Sequence, residues 1–395
     1  MNALLKLAER TVDLHLEAQK ASLHEIIKEH QSDAPLYCFC PEQLRSTYRQ
    51  FRQLFPGRVT YAVKANPTAE IVQTLVQEGM TAFDVASLSE IELIRRHSAF
   101  AALHYNNPIR SQKENHRAFH DFKVRSYAVD SVNELEKLAN TVGQKAGDVE
   151  VSVRFHLDLG GAGYDFGTKF GASTNNAVAL VKQAKQLGFK VSLSFHPGSQ
   201  CRVAEAYRDY VYAAADIAKC AKVQLFRLNV GGGFPVTFPD DQVEGLEVYM
   251  KAISKAVDNS FADYRPELLC EPGRAMVASS VALLTKVKAI KDDGRLYLND
   301  GVYGGFQESH IIRLLPRYQV FDSSGHLKNG EARDFVVFGP TCDSMDQLPG
   351  KLALPTSIAE EDTIVFYDMG AYGSATTTNF NGYNSANYQR VSSFN

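Results

Sequence analysis

Between residues 59 and 274 the chain repeats one rhythm: a short run rich in β-branched and aromatic residues, a turn residue, then a polar–apolar segment with helical period. The β-rich runs are VTYAVKAN (59–66), TAFDVAS (81–87), AALHYNNP (101–108), VRSYAVDS (124–131), VEVSVRF (149–155), VSLSFHPG (191–198), FRLNVGGG (226–233) and PELLCEPGR (266–274). Segments such as AEIVQTLVQEG, SVNELEKLANTVG, NNAVALVKQAKQLG and YRDYVYAAADIAKCA read as the helices between them, several closed by the glycine expected at a helix C-terminus. Strand and helix in alternation imply parallel pairing, and eight units over about 220 residues match the size of a (β/α)8 barrel. An open doubly wound sheet competes with this reading, weakened by the lack of Gly-x-Gly-x-x-Gly in the first β–α turn. From residue 279 the helices drop out, and SSVALLTKVKAI, RLYLNDGVY, RYQVFDS, ARDFVVFG, GKLALP and DTIVFYDMG predict a separate β domain. The predicted fold is therefore α/β: an N-terminal segment (1–41) whose PLYCFC joins the β domain, a barrel over 42–278, and a β domain over 279–395. The tail after Tyr383 is expected to be an extension of weak local order.

Composition acts mainly by exclusion. A chain of 395 residues exceeds the usual single core, in keeping with two domains. Its net charge of −3 carries no electrostatic footprint for nucleic acid. No run of 18 apolar residues occurs, so no membrane span is expected, and the start lacks the apolar core of a signal peptide. The expected location is cytoplasmic. Six scattered cysteines read as reduced thiols, and no metal site is expected.

Lys64 ends the first β-rich run, where strand alternation puts Thr60, Ala62 and Lys64 on one face and Val59, Tyr61 and Val63 on the other. Alone, such a lysine reads as one leaning out to water. Barrels of this type, however, work at the carboxyl ends of their strands. There the chain also places Asp84, Arg154, His196, the glycines Gly231, Gly232 and Gly233, and the run Glu271-Pro272-Gly273-Arg274. A triple glycine serves equally as a flexible turn or as a loop whose bare N–H groups reach phosphate oxygens. Arg274 and Ser199 would add donors to a phosphate. His196 is either a hydrogen-bonded core residue or a ring that stacks on a ligand. A lysine amine, a phosphate cradle and a carboxylate at one barrel mouth point to pyridoxal phosphate, with Glu271 as partner of the pyridine nitrogen.

YAVKANP, FDVAS, KFGA (169–172), FHPGSQ, GGGFP, CEPGR, NDGVYGGF (299–306), FGPTCDSMD (338–346) and MGAYGSATTTNFNGY (369–383) carry a wider resemblance. Through them the chain resembles the fold-type III pyridoxal-phosphate decarboxylases, the ornithine/diaminopimelate decarboxylase group with its alanine racemase-like architecture. The resemblance implies a barrel joined to a β domain, and a homodimer whose two active sites are shared between subunits. It implies Lys64 as the Schiff-base lysine, Glu271 at the pyridine nitrogen and His196 stacked on the ring. Ser199, the three glycines, Gly273, Arg274 and Tyr372 fall at the phosphate, and Asp84 and Arg154 close to the cofactor. Cys342 and Asp343 would come from the partner subunit, Cys342 protonating Cα after carbon dioxide leaves; a thiol is mostly protonated at neutral pH. Asp300 and Asp343 would hold the distal ammonium of a small basic amino acid, with Tyr303 and Phe380 beside it.

That acidic pair favours L-ornithine, giving putrescine, or L-lysine, giving cadaverine, over diaminopimelate, whose second carboxylate it would repel. An amino-acid racemase shares the barrel and the lysine but leaves the acidic pair unexplained. An inactive homologue that binds regulatory proteins would be expected to have lost cofactor residues; Lys64, Glu271, Arg274 and Cys342 are all present. Lys169 and Asp346 lie in segments that meet across the family dimer and are expected to form an intersubunit ion pair. The glycine-rich loop between Arg154 and Lys169 carries no usable motif.

Overall fold

A computed structural model describes residues 21–30, 32–159, 162–164, 169–239, 241–383 and 387–394. The first twenty residues and part of the loop before Lys169 lie outside them. The chain divides into two compact units. One holds residues 47–237 and 242–276; the other holds the N-terminal residues through Ser46, a short piece from Phe238, and everything from Val277 on.

The first unit is a parallel barrel. Its strands run in the order Arg58–Val59, Glu267–Cys270, Arg227–Asn229, Lys190–Ser194, Glu150–Arg154, Ser126–Val129, Ala102–Tyr105, Ala82–Val85, Tyr61–Ala62. The first β-rich run appears at both ends of that order because it splits at Thr60. Val59 pairs with Cys270 on one side and Tyr61 with Phe83 on the other. Thr60 makes the join, its N–H and its hydroxyl both donating to the carbonyl of Cys270 at 3.0 Å. Strands that face a filled interior on one side and helices on the other are buried throughout. Val59 through Val63 are all buried accordingly, so both faces of this run are covered.

The strand also stops before Lys64. Val63–Ala65 form a single 3-10 turn, closed by Asn66 N–H on the Val63 carbonyl at 3.0 Å. Tyr61 hydroxyl holds the Asn66 carbonyl at 3.0 Å, and Asn66 Oδ1 accepts from the N–H of Thr68 at 3.1 Å. Lys64 is thus carried on a braced turn and is exposed, while its neighbours Val63 and Ala65 are buried.

In the second unit the ten-residue strand Val281–Ile290 organises the sheet, pairing antiparallel with Thr363–Phe366, Arg295–Leu298 and Leu36–Phe39. Leu36–Phe39 is the strand expected from PLYCFC. The tail departs from expectation: Tyr388–Arg390 adds a parallel strand on Leu36–Phe39. The Tyr388 ring stacks on Tyr37 at 5.0 Å, and Val391 is 1% exposed in a cluster with Leu36, Cys38, Leu284 and Val365. Residues 384–386 and 395 lie outside the described residues. Cys38, Cys40, Cys201 and Cys270 are buried, Cys220 and Cys342 exposed, and all six are free thiols. Among the described residues no helix is long and apolar enough to cross a membrane.

Because the tail seals that cluster, Val391→Ala is expected to lower stability by roughly 1–3 kcal/mol in denaturant unfolding. An unchanged midpoint would show that the tail strand is not packed as described.

Candidate active site

Glu271 sits one residue past the strand Glu267–Cys270, is 9% exposed, and is anchored by its own N–H donating to Gly231 O at 2.7 Å. Asn229, at the end of the neighbouring strand, and Asn106, just past the strand Ala102–Tyr105 further round the barrel, donate their side-chain amides to the same oxygen, Oε1. Asn106 also hydrogen-bonds Asp84, which is 4% exposed. Two carboxylates are therefore buried together with little water to solvate either. Burial, then the charge of Asp84, pushes Glu271 from the usual 4.5 to about 8, although Asn229, Lys64 and Arg154 pull the other way. Asp84 is raised by the same burial, and Lys64, Asn106 and Arg154 offset it in part.

The cations and the histidine complete the arrangement. Burial lowers the guanidinium pKa of Arg154, and the charges of Glu271, Asp130 and Asp84 oppose that shift. Burial, then the Lys64 and Arg154 charges, holds His196 well below its usual range, so the imidazole is neutral. Its Nδ1 accepts from the N–H of Gly198 at 3.1 Å, which leaves the ring proton on Nε2.

Gly231 and Gly233 have φ of +70° and +87°. A Cβ on Gly232 would lie 2.5 Å from the Glu271 carbonyl oxygen, and Cβ atoms on Gly231 and Gly233 would run into the carbonyls of Phe195 and Gly198. Their own carbonyls accept from Glu271 N–H, the Tyr207 hydroxyl and Cys201 N–H. Gly231 N–H donates to Asn229 Oδ1 at 2.9 Å, so what this loop has left to present to a ligand is the N–H of Gly232 and Gly233, the polarity an anion needs. Arg274, 6% exposed behind Gly273, donates to Ser199 Oγ at 3.0 Å.

The barrel unit thus brings together Lys64, Asp84, Arg154, His196 and Glu271 as one electrostatic group, with Gly231, Gly232, Gly233 and Gly273 in loops after the strands, Ser199 at the start of a short strand and Arg274 at the start of a short helix. Asn106, Asn229 and Glu90 are additions to the expected set. Glu90 feels both Asp84 and Lys64, and burial raises it to about 7. The only sequence signal for the two asparagines is their place at strand ends, where asparagine also serves as ordinary turn punctuation.

These residues suit pyridoxal phosphate. A protonated pyridine nitrogen would give Glu271 the cation that its burial demands, the glycine turn matches a phosphate, and the neutral imidazole of His196 offers a flat face without added charge.

Tyr372, Asp300, Tyr303, Cys342, Asp343 and Phe380 belong to the second unit. Tyr372 has φ of +59°, a left-handed conformation that a bulky residue rarely adopts outside functional positions. Asp300 is 4% exposed and accepts from Gly305 N–H at 3.0 Å. Asp343 accepts from Met345 N–H and from the Tyr303 hydroxyl, which in that order lower its pKa. The rings of Tyr303 and Phe380 lie 4.8 Å apart, and exposed Cys342 is held by its N–H donating to Asn381 Oδ1 at 3.0 Å.

The intersubunit pair expected of Lys169 and Asp346 is not supported by this geometry. Asp346 is 1% exposed, and its oxygens accept from Val302 N–H at 2.8 Å, Thr341 N–H at 3.0 Å and Thr341 Oγ1 at 2.7 Å. It cross-braces its own domain. Lys169 lies over its neighbour Phe170, 5.0 Å from the ring centroid.

Comparison with known proteins gives the same picture. The family model described as pyridoxal-dependent decarboxylase, pyridoxal binding domain, matches residues 42–278. The lysine/ornithine decarboxylase of Selenomonas ruminantium is 32% identical over 351 residues, spanning 87% of this chain and 86% of that protein. Antizyme inhibitor 2 of Xenopus laevis is 28% identical over 387 residues, spanning 91% and 81%. The crystal structure of the arginine decarboxylase of Paramecium bursaria Chlorella virus superposes with a TM-score of 0.81 at 26% identity, over 94% of this chain and 99% of that one.

A raised carboxyl pKa links folding to pH. Between 4.5 and about 8 native Glu271 keeps a proton that the unfolded chain has lost, so the native state binds more protons and stability falls as pH rises through that window. The cofactor-free protein should lose Tm between about pH 5 and 8.5, and Glu271→Gln should flatten that decline. Parallel declines in both proteins would contradict the assignment.

Proposed function

The chain belongs to the pyridoxal-dependent decarboxylases, and from that premise we propose that it converts L-ornithine to putrescine and L-lysine to cadaverine, working as a homodimer with shared sites. The observation that carries this reading is the buried Glu271 beside Lys64, an acid whose ionisation calls for a cation such as a pyridinium. Pyridoxal phosphate, when bound, supplies a ring that accepts the electron pair left as the Cα–carboxylate bond breaks. Lys64 provides the amine that tethers the cofactor. Glu271, oriented by Asn106 and Asn229, keeps a proton at the pyridine nitrogen, and His196 covers one ring face. Ser199, Gly231, Gly232, Gly233, Gly273, Arg274 and Tyr372 bind the phosphate, while Asp84 and Arg154 balance charge near the ring.

Asp300 and Asp343 hold the distal ammonium, with Tyr303 and Phe380 along the methylene chain. Cys342 of the partner subunit hands a proton to Cα, and Asp343 comes from the same partner. A second carboxylate at that end, as in diaminopimelate, would meet the acidic pair and be repelled. Two similarities set what has to be measured. An arginine decarboxylase shares the fold, so chain length and head group of the substrate need direct comparison. An antizyme inhibitor is among the relatives, so turnover has to be measured as well as cofactor binding.

Incubation with ornithine, lysine, arginine and diaminopimelate in turn should release putrescine and cadaverine from the first two. Agmatine as the main product, or no diamine from any of them, would overturn the proposal. Lys64→Ala should lose turnover by at least about 10³-fold. Asp343→Ala should raise KM for the diamino acids by roughly tenfold or more. Cys342→Ala should keep the cofactor but give products protonated at the wrong atom; clean diamine formation by that variant would remove Cys342 from its role.

A further inference from the structure

At the opposite end of the barrel, a cavity of about 790 Å³ opens under the amino-terminal ends of the strands. The first residues of six strands line it: Arg58, Ala102, Ser126, Glu150, Lys190 and Arg227. This end of such a barrel ordinarily serves stability alone. Here its charge is unusual. Six cationic side chains line the cavity against three acidic ones, in a chain whose net charge is −3.

Two of the six are neutralised. Arg227 pairs with Glu150 at 2.6 Å and Glu267 at 3.0 Å, and Arg58 reaches Glu267 at 3.3 Å. The other four, Arg95, Lys123, Arg125 and Lys190, form no ion pair among the described residues. Arg95 donates to the carbonyls of Ala101 and Phe122, and Arg125 to those of Phe119 and Val124, so both guanidinium groups are fixed at the rim. Behind this lining, two buried polar atoms lack a partner. Nε2 of His104 and Nε of Arg227, both in side chains at least nine-tenths buried, have no hydrogen-bond partner, an uncommon state for buried polar atoms. Burial and the charges of Arg227 and Arg58 keep that histidine neutral, at about 3. Phe100, fully out in solvent at 99% exposure, and Phe122 add apolar surface.

We propose that this cavity binds a small organic molecule carrying two or more oxyanions, phosphate or carboxylate, at a site separate from the decarboxylation centre. Four cations that form no ion pair, against Asp121 and Asp148 as the remaining acids of the lining, leave an excess of positive charge for a multiply charged anion. The volume falls in the range of sites for organic ligands rather than single ions, and the apolar wall favours a carbon scaffold. This inference does not depend on which amino acid the enzyme decarboxylates.

The test is calorimetric titration of the full chain, supplied with pyridoxal phosphate, using ATP, citrate, inorganic phosphate and adenosine. ATP or citrate should bind, more weakly as salt rises, with phosphate at least about tenfold weaker and adenosine silent. The stronger of the two identifies the ligand as a phosphate ester or a polycarboxylate. Lys190→Glu, at an exposed position where folding is not threatened, should weaken that binding about tenfold or more and leave decarboxylase turnover unchanged. Arg125→Gln should weaken it as well. No heat from ATP or citrate at millimolar concentration, phosphate binding as tightly as either, or full binding by Lys190→Glu would overturn the proposal.

Discussion

A carboxylate taken out of water must be given a cation or a proton, and the architecture of the barrel mouth follows from that demand. Glu271 and Asp84 are buried near one another; burial raises both, and the charge of Asp84 adds to the cost of ionising Glu271. Lys64 and Arg154 supply part of the missing charge, and Asn106 and Asn229 supply hydrogen bonds to the same carboxylate oxygen. His196 is kept neutral first by burial and then by the same cations that favour the acids. The set is balanced to receive a flat, partly cationic ring with a phosphate at one end, and each member comes from a different strand end. Only a closed parallel barrel delivers so many strand ends to one point.

Closure is therefore a functional requirement. It rests on the split of the first strand at Thr60, whose N–H and hydroxyl both hold Cys270 O, one residue before Glu271. The same split shortens the strand, so that the chain turns at Val63–Ala65 and carries Lys64 on a braced 3-10 turn. Backbone hydrogen bonding at the seam and the placement of the amine are consequences of one local irregularity. The glycine loop has a comparable double role: the three residues let carbonyls of neighbouring turns approach closely while their own carbonyls stay occupied.

Much of this was legible in the sequence because barrel strands and helices have different periods and sharp punctuation between them. The eight β-rich runs all became barrel strands, and Lys64, Glu271, His196 and the glycines lie at their carboxyl ends. Other features left no comparable trace. The turn at Lys64 depends on Tyr61 and Asn66 holding one another across five residues, which alternation alone does not reveal. Asn106 and Asn229 act through a side chain far away in sequence. Asp346 sits in a segment that suggests an interface, yet three donors from its own domain bury it. The polar tail NSANYQRVSSFN hides a strand because its stability comes from Tyr37 and the cluster around Val391 rather than from its own composition. The cations of the lower cavity come from strand starts (Arg58, Lys190, Arg227), a helix (Arg95) and the turn before a strand (Lys123, Arg125), so no window along the chain contains them together.

The most direct test of the account is to locate the cofactor covalently. Borohydride reduction of the pyridoxal-phosphate-loaded protein, followed by peptide mapping, should find the pyridoxyl group on Lys64, and Glu271→Gln should shift the visible spectrum of the unreduced protein. A label on any other lysine, or a spectrum indifferent to the loss of the Glu271 carboxylate, would contradict it.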